Sequence, residues 1–357
     1  MADDTQVCVG AKGEADNLGV RIGAIFIIFA SSTFFTLLPI VTRRIPKLSI
    51  PSHAYDFCKY FGSGVIIATG FIHLLQPADE ELSQPCLIPA FSEDYHMAYA
   101  FTLISMMLVF VCEFFAYRLG SNMLSKRLGS VVHHHASGHN DAVQEDFAEH
   151  EREHLRRAEL DQGTHGSLDG NDKQLDLEEN LDEVSMGYLD TSELIGVFVL
   201  EFGVIFHSVI IGLTLSTTDW DPEDGDKFVV LFPVIVFHQL FEGIGLGSRL
   251  SLLPSSLGKW SPILMGLGYA IVTPIGMAIG LGLRHTYTSD TPTGYYVTGI
   301  FDAFSAGILI YTGLVELLAH DFVFNKGMQN APLWKVSLNM LEVCIGIAIM
   351  ALLGRWA

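Results

Sequence analysis

The feature that most restricts what this chain can fold into is a set of long apolar segments. The one from Leu194 to Leu215, LIGVFVLEFGVIFHSVIIGLTL, shows the problem they set. It is long enough to cross a bilayer, since about 20 apolar residues at roughly 1.5 Å each span the hydrocarbon. Yet it carries Glu201 and His207 in its interior. Eight such segments can be read: Val20–Val41, Tyr55–Leu75, Met97–Leu119, Leu194–Leu215, Phe228–Ser248, Pro262–Leu283, Tyr296–Ala319 and Leu333–Leu353. They are apolar all round, and only 17% of the chain is charged. In lipid every backbone polar group must be satisfied internally, so the choices are helices or a closed barrel. Barrel strands alternate and run about 10 residues. The expectation is therefore an all-α, polytopic membrane protein with eight transmembrane helices.

The first residues, MADDTQVCVGAKGEADNLGV, are acidic and lack a basic region ahead of an apolar one. No cleavable signal peptide is expected, and the first span serves as the insertion signal. Lys and Arg mark cytoplasmic loops. With the N-terminus outside, the inner side takes Arg43, Arg44, Lys47, Lys59, Arg118, Lys126, Arg127, Arg249, Lys259, Lys326 and Lys335. The outer side then holds Lys12, Arg21, Lys227, Arg284 and Arg355. Eight spans put both termini outside, and the segments divide as residues 1–19 outside, 20–120 with spans one to three, 121–190 in the cytosol and 191–357 with spans four to eight. Outer stretches such as TTDWDPEDGDK are acidic. A negative mouth concentrates cations, and solubility alone explains the same charges. Of five cysteines, Cys8 and Cys86 fall outside, where a bridge can form. Cys58, Cys112 and Cys344 fall in spans as small apolar residues.

Residues 121–190 are polar and expected to be disordered. They hold His133, His134, His135, His139, His150, His154 and His165. A tract of this composition can bind Zn2+ adaptively through neutral imidazoles, or it can be a solvated loop with no specific role. Within it, HEREH (His150 to His154) matches the H-E-x-x-H pattern of zinc proteases. Its neighbours, QEDFAEHEREHLRRAELDQG, are charged on nearly every face, which is wrong for an enzyme core. The stretch DGNDKQLDLEE fails as an EF-hand loop, because Gln174 stands where the sharp turn needs glycine.

Ionisable residues inside a span are costly and mark functional positions. They are His73, Glu113, Glu201, His207, His238, Glu242, Glu316, His320 and Glu342. By helical rise, His207 lies about 20 Å from the inner boundary and His238 about 15 Å from the outer one. In a core about 30 Å thick both fall near the midplane. Their spans are consecutive and antiparallel, so the two imidazoles can meet. His238 and Glu242 are i and i+4 and share a helix face. Two imidazoles and a carboxylate suit borderline cations such as Zn2+ and Fe2+, and no Cys or Met joins the set to favour Cu(I). The remaining residues read as a pathway. His73 and Asp79 lie towards the outer mouth, Glu201 inward of His207, and Glu316 with His320 at the inner end of the seventh span. Weak sites in series let an ion both arrive and leave. Glu113 and Glu342 can equally be structural.

Small residues in GSGVIIATG, GIGLG and GLGYAIVTPIGMAIGLG let helices approach closely. Pro274 frees a carbonyl in the sixth span, which can bend it.

The chain resembles the ZIP (Zrt/Irt-like) metal transporters, most nearly those of fungal plasma membranes. The likeness rests on HSVIIG in the fourth span, HQLFEG in the fifth, GFIHLL in the second, TPIG in the sixth and the His-rich loop between spans three and four. It implies a ZIP-type bundle that imports Zn2+, and in some members Fe2+ or Mn2+, through His207, His238 and Glu242. By the same likeness Ser208 and Gln239 are further weak ligands or hold water on the ion. Members with two metals carry Asn, a carboxylate and Asp where this chain has Ser208, Ile211 and Gln239. One principal ion site is therefore expected. The ion is cargo, so no resident cofactor and no enzymatic activity are expected. The lipid bilayer is the surrounding partner, a homodimer is admitted, and nucleic acid is not expected. The competing readings are a membrane zinc metalloprotease using HEREH and a zinc sensor that transports little.

Overall fold

The computed structural model describes residues 17–45, 51–87, 95–135, 196–218, 227–253, 258–283 and 291–356. Every regular element among them is helical. Eight helices are long and apolar enough to cross a membrane: α1 (Leu18–Arg44), α2 (His53–Leu82), α3 (Met97–Ala116), α4 (Gly196–Thr217), α5 (Phe228–Leu250), α6 (Ser261–Leu283), α7 (Pro292–Phe324) and α8 (Leu333–Leu353). All eight expected spans are present. The chain is thus an all-α, polytopic membrane protein. Residues up to Glu113 and from Glu193 onward belong to one compact unit, and Phe114–Ser192 to another.

Helix α2 is longer than the apolar run that announced it. Its far end stays helical because Ala78 and Leu82 are buried in a cluster with Ala98 of α3 and Ala303 of α7. Helix α3 runs on to His135, so the first part of the polar insert is helical rather than loop. That part holds good helix formers such as Met123, Leu124, Lys126 and Arg127. The rest of the insert lies outside the described residues, as does Cys8. Cys86 is disulfide-bonded, while Cys58, Cys112 and Cys344 are free.

Two helices change pitch. Thr69–Leu75 within α2 and Thr312–Phe324 within α7 are π-helical. The wider turn rotates the residues beyond it about the helix axis and often marks a functional position. His73 lies in the first of these. Proline is tolerated inside α1, α5 and α6, at Pro39, Pro233 and Pro274.

Close crossings position the helices that matter for chemistry. Gly62 of α2 and Gly245 of α5 face each other so closely that a side chain on either would collide with the other's backbone. Gly212 of α4 and Gly276 of α6 sit likewise against the backbone of α6 and α4 at Thr273 and Val209. Removing the side chain is what permits such contact between helices in lipid. Arg21 of α1 ties α1 to the end of α4. Its guanidinium donates to the carbonyls of Ser216 at 2.8 Å and Thr218 at 2.7 Å. Carbonyls in the last turn of a helix lack intrahelical partners, and a cation there also meets the negative end of the helix dipole. Outward faces such as Leu103, Ile104 and Phe110 of α3 expose large apolar groups, as a lipid-facing surface should.

Candidate metal centre

Three helical positions converge. His207 of α4 and His238 of α5 face each other with Nε2 atoms 3.3 Å apart. Glu242, one turn along α5 from His238, places Oε1 3.2 Å from His238 Nε2. One ligand atom from each residue lies within 4.8 Å of the others. All three residues are buried, at 2%, 2% and 1% exposure. The i, i+4 spacing and the matched depth of the two histidines bring this about, as the sequence suggests.

The spacing has a chemical meaning. Zinc holds imidazole nitrogen at about 2.0–2.1 Å and carboxylate oxygen at about 2.0–2.2 Å in tetrahedral sites. Two such ligands on one tetrahedral ion are then about 3.3 Å apart. The N···N and N···O separations here match that edge. The two Nε2 atoms are paired with each other. At most one of two facing Nε2 atoms can carry a proton towards the other, so the pair offers a lone pair inward. Glu242 Oε1 is buried and makes no aligned hydrogen bond, despite its approach to His238. A carboxylate oxygen stranded in this way is costly unless a cation meets it. His207 Nδ1 is likewise buried without a hydrogen-bond partner. Structural metal sites usually orient each imidazole through its second nitrogen.

The surrounding residues fall into several groups. His73 packs edge-on against His238 with ring centroids 4.7 Å apart, and its Nε2 is 2.9 Å from the Met350 carbonyl of α8. It is thus a direct neighbour of the trio. Ser208 is fully buried and its Oγ has no hydrogen-bond partner. Gln239 turns to α6: its Nε2 donates to Thr273 Oγ1, and Tyr269 OH donates to its Oε1. Glu201 is buried in α4. The side chain of Glu316 lies over Gly196 of α4, and His320 is half-buried on α7. Asp79 stands apart, 3.0 Å from His96 Nδ1 at an exposed end. Glu113 accepts from Tyr311 OH at 2.6 Å, which satisfies it locally. Glu342 is buried with Oε2 unpartnered. His139 and the HEREH segment lie outside the described residues, and so do the side chains of His133, His134 and His135.

Several polar residues lie outside the site candidates read from the sequence. Arg249 Nη2, near the Leu250 end of α5, donates to Asp321 Oδ2 of α7 at 2.7 Å and to Ser63 Oγ of α2 at 2.6 Å. Lys59 of α2 adds a second contact to Asp321 at 2.6 Å. Arg249 is about 10 Å along the helix from Glu242. Asp302 is buried within α7 with Oδ1 unpartnered, and the rule that picked out Glu201 would have found it. Tyr269 could have been noticed as the one phenol in the glycine-rich sixth span.

Comparison with known proteins identifies the family. A sequence model of the family described as ZIP Zinc transporter matches residues 18–354. Zinc-regulated transporter 1 of Saccharomyces cerevisiae is 39% identical over 357 residues, covering 98% of this chain and 91% of that protein. Zinc-regulated transporter 1 of Schizosaccharomyces pombe is 38% identical over 390 residues, covering 99% and 91%. Zinc transporter 5 of Oryza sativa subsp. japonica is 28% identical over 358 residues, covering 99% and 92%.

Proposed function

The chain belongs to the ZIP zinc transporter family, and from that membership we propose that it carries Zn2+ across a membrane into the cytosol through His207, His238 and Glu242. The observation that carries this reading is the buried trio, whose donor atoms stand at the edge length of a tetrahedral zinc ion. The similar fungal proteins are named as zinc-regulated transporters, which supports zinc as cargo. Fe2+ is the second candidate cargo, since it accepts the same imidazole and carboxylate ligands.

In this reading an ion sheds most of its water on reaching the trio. Two imidazoles and a carboxylate replace part of its hydration shell, and the open fourth position lets it leave. Both termini face outward, residues 121–190 face the cytosol, and the host membrane is the plasma membrane. Under that orientation Glu201 and Glu316 lie on the inner side of the trio, where acidic oxygens draw the ion onward. Arg249, Asp321 and Lys59 then close the seam between α5, α2 and α7 on the inner side, so release requires α5 to part from them. The chain acts as a carrier and not as a protease, and its relatives carry transporter names.

Uptake of radioactive zinc into proteoliposomes holding the purified chain tests the reading. Wild type should fill the vesicles with zinc, and His238→Ala should not. Equal uptake by the two would remove the trio from the transport path.

A further inference from the structure

Tyr269 is the largest of the fully buried side chains among the described residues. Its hydroxyl lies where α6 meets the face of α5 that carries Gln239 and Glu242. It donates to Gln239 Oε1 and stands 3.4 Å from Glu242 Oε2. One turn further along α6, Thr273 Oγ1 accepts from Gln239 Nε2. Both ends of the Gln239 amide are therefore used within the protein. Its oxygen is held on the α6 side, although Gln239 follows the ligand His238 directly. The second oxygen of Glu242 is within reach of the same phenol, while Oε1 faces the histidines.

We propose that Tyr269 is a specificity-determining positioning residue, which keeps the Gln239 carbonyl and the second Glu242 oxygen out of the ion's ligand shell. The proposal rests on the trio being the transport site. Two nitrogens and one oxygen suit a four-coordinate, imidazole-accepting ion such as Zn2+. Ions that prefer carbonyl and carboxylate oxygen in larger number, Mn2+ among them, find too few such donors. Releasing Gln239 Oε1 and Glu242 Oε2 would add two oxygens at once and enlarge the shell towards what Mn2+ prefers. Thr273 takes part by anchoring the nitrogen end of the amide, so that the carbonyl stays turned to the phenol.

The test uses the full chain in proteoliposomes and measures inhibition of zinc uptake by Mn2+. The inhibition constant is expressed relative to the KM for zinc, so that a change in the amount of active protein cancels. Tyr269→Phe keeps the ring and removes the donor. It should lower the Mn2+ inhibition constant about tenfold relative to the zinc KM, the lower end of what outer-shell changes do to metal sites. Adding Gln239→Leu to Tyr269→Phe should return the ratio most of the way, because the released carbonyl is gone. Thr273→Val should shift the ratio in the same direction as Tyr269→Phe. A purely structural role for Tyr269 predicts slower zinc uptake with the ratio unmoved, and that result overturns the proposal. Should Tyr269→Phe fail to fold, Thr273→Val carries the test, and an unmoved ratio there also overturns it. The two readings fail differently. Zinc uptake untouched by His207→Ala removes the trio, whereas an unmoved Mn2+ ratio removes only the role of Tyr269.

Discussion

Arg249 of α5 and Asp321 of α7 are joined at 2.7 Å, with the arginine 7% exposed and the aspartate 3%. Lys59 of α2 shares the same carboxylate at 2.6 Å. Three helices thus meet on one acidic side chain. Breaking a buried pair by removing one member costs about 3–5 kcal/mol, because the remaining charge is stranded. Asp321→Asn strands the most charge, since both cations lose the carboxylate they share. We expect it to lower the detergent-solubilised unfolding midpoint more than Lys59→Met does, because Lys59 is 20% exposed and can turn to water. Thermal unfolding followed by tryptophan fluorescence checks the order, and equal midpoints would count against a shared ionic junction.

The crossing of α2 and α5 makes a second prediction. Gly62 and Gly245 touch backbone to backbone, so even a methyl group has no room. Gly245→Val should force the helices apart or prevent assembly, at a cost of about 1–3 kcal/mol or more for overpacking. Because His238 and Glu242 lie on the same helix, zinc uptake should fall as well. Gly268→Ala serves as the control, since nothing lies within 4 Å of a Cβ there. Full uptake by Gly245→Val would show that this crossing does not set the geometry of the centre.

His73 supports the trio from the side. Its ring lies against His238 and its Nε2 is held by the Met350 carbonyl. Replacing it with Ala removes that contact and the ring that packs against His238, and so gives His238 room to turn. We expect the KM for zinc to rise about tenfold, as when a supporting group beside a metal ligand is lost. His73→Gln, which can still donate to Met350, should recover part of the loss. Concentration-dependent uptake by the two variants checks this, and identical KM values for wild type and His73→Ala would contradict it.

Much of the architecture was legible in the sequence, for a physical reason. A bilayer imposes length and polarity on each span, so apolar runs report helices directly. Depth along a helix also follows from residue count, which is why His207 and His238 could be matched although 31 positions separate them. Lateral neighbours do not follow from depth. Gln239 meets Thr273 and Tyr269 only because α6 lies beside α5, and no periodicity states that adjacency. The π-helical stretch at Thr69–Leu75 is equally invisible in an apolar run. It is where His73 comes to rest against His238. Arg249 and Lys59 read as charges near span ends, where the positive-inside rule accounts for them. Their common partner Asp321 emerged only with the fold.

The central claim is that one ion passes through the buried set of His207, His238 and Glu242. Initial rates of radioactive zinc uptake, with wild type beside Glu242→Gln at matched amounts of reconstituted protein, test it most directly. Glu242→Gln keeps the shape of the side chain but removes the anionic ligand, and the account predicts a fall of at least about tenfold. A rate equal to wild type would contradict it.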